Sequence, residues 1–352
     1  MALHPFNKRL ERLPNTILTL IAKIDEYKGQ WIAGAKLSPQ ILGRLKKSVL
    51  VTSTGASTRI EGAHLSNQDI EKLMKGLSIQ KFKDRDKQEV QSYYELLQEV
   101  FELWKHMHFS ESLIKHFHRE TLKYVEKDKR HKGEYKKQEN KVMMVNEAGQ
   151  SMGVLFDTTP AYLVQKEMQE LIEWTQHELT NAEYHPLLII GNFIVEFLQI
   201  HPFQDGNGRL SRVLTNLLLL HAGYQYMPYV SHEKIVEDNK PDYYMALRKS
   251  QKTFKTKKPS ITQWLTFFLS CIRDQSKHAI QLISRESIEK LLSPKQLLVW
   301  EYMQTVTEAS PKELVEGTGV SRPTINQICA RLMELKKIER IGMGRATRYR
   351  ML

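Results

Sequence analysis

His201-Pro202-Phe203-Gln204-Asp205-Gly206-Asn207-Gly208-Arg209-Leu210-Ser211-Arg212 lies between two apolar helical patterns, Leu187 to Ile200 before it and Arg209 to Ala222 after it, with Gly223 as the stop of the second. The stretch reads as a helix-loop-helix junction. Two glycines flanking Asn207 let the backbone turn its N–H groups inward, at the start of the second helix, where the dipole favours anions. Arg209 and Arg212, three residues apart, emerge on neighbouring positions of one helical face and can fork onto phosphate oxygens. Asp205 is the hard oxygen ligand that a Mg2+ bridging two phosphates takes, and His201 is a neutral-pH proton acceptor suited to an incoming hydroxyl. Together these residues describe nucleotide transfer.

Helical spacing recurs outward from the junction, as in Leu96, Leu97, Val100, Phe101, Leu103 and Trp104, so the chain reads as mainly α. Strand signals are confined to two places. Val142 to Val145, the turn-like Asn146-Glu147-Ala148-Gly149 and Val154-Leu155-Phe156 predict a hairpin, and a short ribbon is predicted near the C-terminus. Lys252 to Ser260 interrupts the periodicity as a surface loop. At Ser293-Pro294, with Gln296 placed to close a capping box, a separate C-terminal domain begins.

With 352 residues, 41% hydrophobic and 26% charged, the chain is long enough for two or three globular domains. Its net charge of +12 favours phosphates, nucleic acid or acidic surfaces without choosing among them. Cys271 and Cys329 have no CxxC partner, which argues against a disulfide framework or structural zinc and fits a reducing cytoplasm. His106/His108 and His116/His118 are two apart and point to different helix faces, so no metal site is expected there. The early charges, from Lys8 to Glu26, leave no export signal, and no apolar run reaches the ~18 residues of a membrane span.

The segment 201–212 matches, position for position, the HxFx(D/E)GNGRxxR signature of the Fic family of protein AMP-transferases. Roughly residues 35 to 265 resemble that family. The resemblance implies a Fic-type helical core with a short β-hairpin flap, and a division into 1–109, an N-terminal helical segment, 110–290, the catalytic core, and 291–352. His201 would deprotonate a Ser, Thr or Tyr hydroxyl of a target protein, whose oxygen would attack the α-phosphate of ATP and release pyrophosphate. Asp205 would hold Mg2+. Gly206, Asn207 and Gly208 would stabilise the transferring phosphate, with Arg209 and Arg212 on the outer phosphates. Tyr243 and Gln251 would line the adenine or ribose side. Val142, Met143, Met144 and Val145 would dock an extended target segment by strand addition.

Ser57-Thr58-Arg59-Ile60-Glu61-Gly62 resembles the family's inhibitory motif, (S/T)xxxE(G/N). Ser57 and Glu61 share one helical face, and the resemblance implies that Glu61 reaches Arg212 and restrains the enzyme. In some relatives the same glutamate supports removal of AMP, so the reverse reaction stays open.

From Ser293 the pattern reads as three helices followed by two strands, Ile338 to Ile341 and Thr347 to Met351, and resembles a winged helix-turn-helix domain. Lys336, Lys337, Arg340, Arg345, Arg348 and Arg350 stand there against Glu339 alone, which suits DNA, while winged helices serve equally as protein-contact modules. Arg322, Thr324, Asn326, Gln327 and Arg345 are the candidate DNA contacts. The alternative function is a DNA-binding regulator whose Fic core senses nucleotide without turnover. A target protein is the first expected partner; self-modification and a homodimer stay open, and no membrane is expected.

Overall fold

The computed structural model describes residues 4–34, 39–76, 85–125, 131–145, 151–289, 292–335, 337–342, 344 and 347–351. The chain divides into two compact units, Met1–Ile280 and Gln281–Leu352. The first contains α1 (Pro5–Lys8), α2 (Asn15–Gly34), α3 (Pro39–Ile60), α4 (Asn67–Lys75), α5 (Arg85–Leu103) and α6 (Glu111–Thr121). A two-stranded hairpin follows, β1 (Lys141–Val145) and β2 (Ser151–Asp157), and then α7 (Val164–Asn181), α8 (Pro186–Ile200), α9 (Asn207–His221), α10 (His232–Asp238) and α11 (Lys240–Gln251). The boundary between the units falls within α12 (Thr262–Glu289). The division expected at 109/110 falls inside the first unit, between the short 3-10 turn Trp104–His106 and α6.

α8 and α9 form the centre. Leu187, Ile189, Ile190, Phe193, Val195, Phe197 and Ile200 of α8, and Leu210, Val213, Leu214, Leu217 and Leu219 of α9, are fully buried. A helix apolar all round has no solvent face and must be enclosed. α8 packs on α7 and α9, and α9 packs on α5, α6 and α3. Gly191 lets α12 approach α8: a Cβ there would stand 2.6 Å from Leu265, and its carbonyl accepts the Trp264 indole N–H at 2.7 Å. α8 begins at Pro186, where the ring costs no hydrogen bond, with His185 accepting the Leu187 N–H at 3.3 Å. The N-terminal turn is fastened to the same core, since Asn7 donates to Glu178, Asn192 donates to the Phe6 carbonyl and Arg9 pairs with Glu196.

β1 and β2 are antiparallel, from Lys141 opposite Asp157 to Val145 opposite Ser151. The register shifts between Val142 and Met143 and again between Met144 and Val145, which accommodates five residues against seven. The turn expected at Asn146 to Gly149 lies outside the described residues. Lys252 to Ser260 is irregular and largely exposed, as expected.

The second unit contains α13 (Pro294–Thr305), β3 (Glu308–Ala309), α14 (Pro311–Thr318), α15 (Arg322–Glu334), β4 (Ile338–Ile341) and β5 (Arg348–Met351). Val299, Trp300, Met303, Leu314, Ile325, Ile328, Cys329, Leu332, Ile338 and Tyr349 form its own core. The capping box expected at Ser293 is present and Ser310 heads a second: Gln296 and Glu313 accept those serines' N–H groups at 2.8 and 2.7 Å. One reading needs correction. The sheet has a third strand, β3, in the order β3-β5-β4; two residues are too few for alternation to register. At the start of α15 the Ser321 hydroxyl is paired with that of Thr324 at 2.9 Å and makes no side-chain cap. Among the described residues no helix is long and apolar enough to cross a membrane.

Candidate active site

α8 ends because His201 adopts a left-handed backbone, φ 51° and ψ 61°, while its N–H still closes on the Phe197 carbonyl at 2.9 Å. A non-glycine residue there is strained and must be held by its surroundings. Its Nδ1 lies 3.3 Å from the Leu198 carbonyl. A carbonyl only accepts, so Nδ1 carries the proton and the neutral ring keeps its lone pair on Nε2. Burial draws the His201 pKa down to about 4 against the Leu198 hydrogen bond, so the ring is neutral at pH 7.

The loop that follows is braced from both sides. Asn207 accepts the Phe203 N–H at 3.0 Å and donates to the Phe203 carbonyl at 2.8 Å. Its amide is thus engaged in shaping the loop. Phe203 is fully buried and stacks on His118 at 3.8 Å and 12°. His118 accepts the Gly133 N–H at Nδ1, 2.8 Å, which leaves Nε2 to donate to the Asp205 carbonyl at 3.0 Å. Gly206, at φ 81°, supplies the left-handed turn from which α9 starts.

Arg212 is buried and held by the end of α3. Its Nε donates to the Ser57 hydroxyl at 2.8 Å, and Nη2 donates to the Ser57 carbonyl at 2.9 Å and to Glu61 at 2.7 Å. Glu61 also lies against Gly208, where a Cβ would stand 2.2 Å from Oε1. Its carboxylate therefore sits over the first turn of α9, where the helix dipole favours an anion. α3 stops there because Gly62 turns the chain at φ 103°.

Asp205 and Arg209 belong to a closed ring of alternating charge. Arg85 lies 2.5 Å from Asp205 and 2.7 Å from Glu89; Arg209 lies 2.9 Å from Glu89 and 3.5 Å from Asp205. Each carboxylate faces two guanidiniums. Burial would raise the Asp205 carboxyl, but Arg209, the Gly206 N–H at 2.6 Å and Arg85 together hold it below the ordinary range. A carboxylate held below the ordinary range in this way fits Mg2+, which uses one or two carboxylates and takes its other ligands from phosphates and water. Arg85 engages the Oδ2 of that carboxylate.

Residues 108–219 match the Fic/DOC family. The chain carries a Fic domain. A curated Aquifex aeolicus protein named "Probable protein adenylyltransferase" is 26% identical over 141 residues, 38% of this chain and 43% of that one. The Drosophila mojavensis protein named "Protein adenylyltransferase Fic" is 44% identical over 57 residues, 16% of this chain and 11% of that one. The chain thus spans less than half the length of these two relatives. A solved Fic family protein from Desulfovibrio desulfuricans matches over 97% of both chains, with a TM-score of 0.62 and 24% identity, which shows the fold.

The Fic domain brings His201, Asp205, Gly206, Asn207, Gly208, Arg209 and Arg212 into one junction and sets Ser57 and Glu61 against it. Tyr243 is buried beside Ser211 and Arg212 around a small cavity, its hydroxyl pushed up to about 12 by burial. Gln251 stands elsewhere. It donates to the Val195 carbonyl at 3.5 Å and lines a cleft of about 910 Å³ with Arg9, Glu196 and Phe254, where no residue of 201–212 is found. Val142 to Val145 form β1. In the second unit Arg322, Asn326 and Gln327 are exposed on α15 and Thr324 is half-buried, while Arg345 lies outside the described residues. Sequence reasoning missed Arg85, Glu89, His118 and Lys136. No local motif marks them, because they meet the junction only through tertiary packing.

Proposed function

We propose that the Fic domain transfers AMP from ATP to a Ser, Thr or Tyr hydroxyl of a target protein, and that Glu61 restrains it. The observation that carries this reading is the position of Glu61, whose carboxylate occupies both the Arg212 cation and the anion-favouring first turn of α9. A device that fills an anion site with an internal anion has a purpose where a phosphate must otherwise bind.

His201 Nε2 takes the proton of the acceptor hydroxyl, whose oxygen bonds to the α-phosphorus as the bond to the β-phosphate bridging oxygen breaks. AMP stays on the target and pyrophosphate leaves. The negative charge of a bound triphosphate raises the His201 pKa from about 4 toward the useful range. Asp205 would hold Mg2+, which supplies charge against the phosphate oxygens when bound. The backbone N–H groups at the start of α9 and the side chain of Arg209 orient the transferring group, and Arg212 receives the outer phosphate once Glu61 withdraws.

Labelling in lysate with ATP carrying a radioactive α-phosphate tests the reading. Glu61→Gly is expected to label at least one protein, this chain included, more strongly than the wild type, and His201→Ala in that background to label none. Equal labelling by wild type and Glu61→Gly removes the restraint, and labelling that survives His201→Ala removes the base. Wild-type release of AMP from a modified target, lost in Glu61→Gly, adds the reverse reaction.

A further inference from the structure

Lys136 is only 4% exposed, although it carries an ammonium and lies outside the 201–212 motif. Burying such a group without partners is costly, and an ammonium offers three donors. Here all three are used: Nζ donates to Asn140 Oδ1 at 2.7 Å, to the Thr158 hydroxyl at 2.8 Å and to the Ile200 carbonyl at 3.3 Å. Asn140 immediately precedes β1 and Thr158 immediately follows β2, while Ile200 immediately precedes His201.

The connection is doubled by the backbone. The Lys136 N–H donates to the Pro202 carbonyl at 2.8 Å, and Asn140 Nδ2 donates to the Phe203 carbonyl at 3.0 Å. Thr158 donates back to the Asn140 carbonyl at 2.8 Å, which closes the two ends of the hairpin on each other. Both feet of the β1–β2 hairpin are therefore tied to the carbonyls of 200, 202 and 203, on the segment whose conformation places His201.

We infer that Lys136 is a positioning residue that fastens the base of the hairpin to the His201 loop, so that an extended chain paired with β1 is delivered in register with Nε2. The register matters because a slip of one residue turns every side chain to the other face. For its effect on transfer the inference rests on the AMP-transfer reading; for the fastening itself it does not.

The test measures backbone hydrogen exchange on the full chain, comparing wild type with Lys136→Met, Lys136→Arg and Thr158→Val. Loss of the fastening is expected to speed exchange across 141–145 and 151–157 by about tenfold or more in Lys136→Met and Thr158→Val, leaving α7 and α8 unchanged, with partial recovery in Lys136→Arg. Thr158→Val keeps the question open to refutation if Lys136→Met fails to fold. In the Glu61→Gly background, the same variants should raise KM for the protein target several-fold while KM for ATP stays put. A hairpin that exchanges no faster, or no faster than α7, overturns the inference; so does an equal rise in both KM values. If Glu61→Gly transfers no AMP at all, the AMP-transfer reading fails and the exchange result still decides the role of Lys136.

Discussion

His118 and His201 are both buried enough to be neutral, each with a pKa drawn down to about 4 from an ordinary 6.5. A histidine whose folded pKa lies below its unfolded one favours the folded state fully above pH 6.5. That contribution is lost as pH falls from 6.5 toward 4, because the unfolded chain takes up the proton first. For His118, 1% exposed, the loss is on the order of 3 kcal/mol. The residue sits under Phe203 and bonds the Asp205 carbonyl, so acid loosens the loop that carries the catalytic groups. Urea unfolding of wild type and His118→Gln at pH 7 and pH 4.5 checks this. The variant is expected to be weaker at pH 7 but to lose less between the two pH values, whereas parallel losses would remove His118 from the account.

The last turn of α3 acts as one piece, with Ser57 and Glu61 four residues apart on the face that meets α9. Ser57→Ala deletes the acceptor of a buried guanidinium N–H and is expected to cost about 1–3 kcal/mol. Because Glu61 then holds Arg212 with less support, the same variant should raise AMP labelling above wild type but below Glu61→Gly. A labelling level identical to wild type, alongside the lost stability, would confine Ser57 to a structural role. The two halves of this pairing were legible in the sequence because each is local, a glycine-flanked turn at 206–208 and a serine and glutamate at helical spacing; that they meet came only from the family resemblance. The helical class and the hairpin were legible for the same reason, since periodicity is a local signal. The charge ring was not. Arg85 is 120 residues from Asp205 in sequence, and His118 is 87 residues from it, so their roles exist only after α5 and α6 have packed against α9. Lys136 carries no local mark either, and only burial and three oxygens make it a fastening; Gln251 was placed by resemblance and stands in a different cleft.

Across the whole molecule the net charge of +12 has several fates, and among the described residues several of the cations singled out by position are ion-paired. Arg209 and Arg212 are ion-paired with Glu89 and Glu61. In the second unit Arg348 pairs with Glu308 and Glu313, and Arg350 with Glu339. The cationic surplus at the C-terminus is thus smaller than the residue count suggests, because Glu308 and Glu313 are brought to the sheet from earlier elements. Those pairs bridge β5 to β3, to the first turn of α14 and to β4, alongside a core in which Val299, Met303, Leu314, Ile325, Cys329 and Leu332 are fully buried. A unit of this size has only a few kcal/mol of stability, typically about 3–5, but it has a complete core of its own. The fragment 281–352 is therefore expected to fold alone, with helical circular dichroism, a blue-shifted emission from Trp300 and a cooperative thermal transition. Paired surface charges screened by salt contribute little, so raising ionic strength should shift the midpoint by only a few degrees. A broad, non-cooperative melt with Trp300 emitting as in water would show that the core of this unit does not suffice by itself.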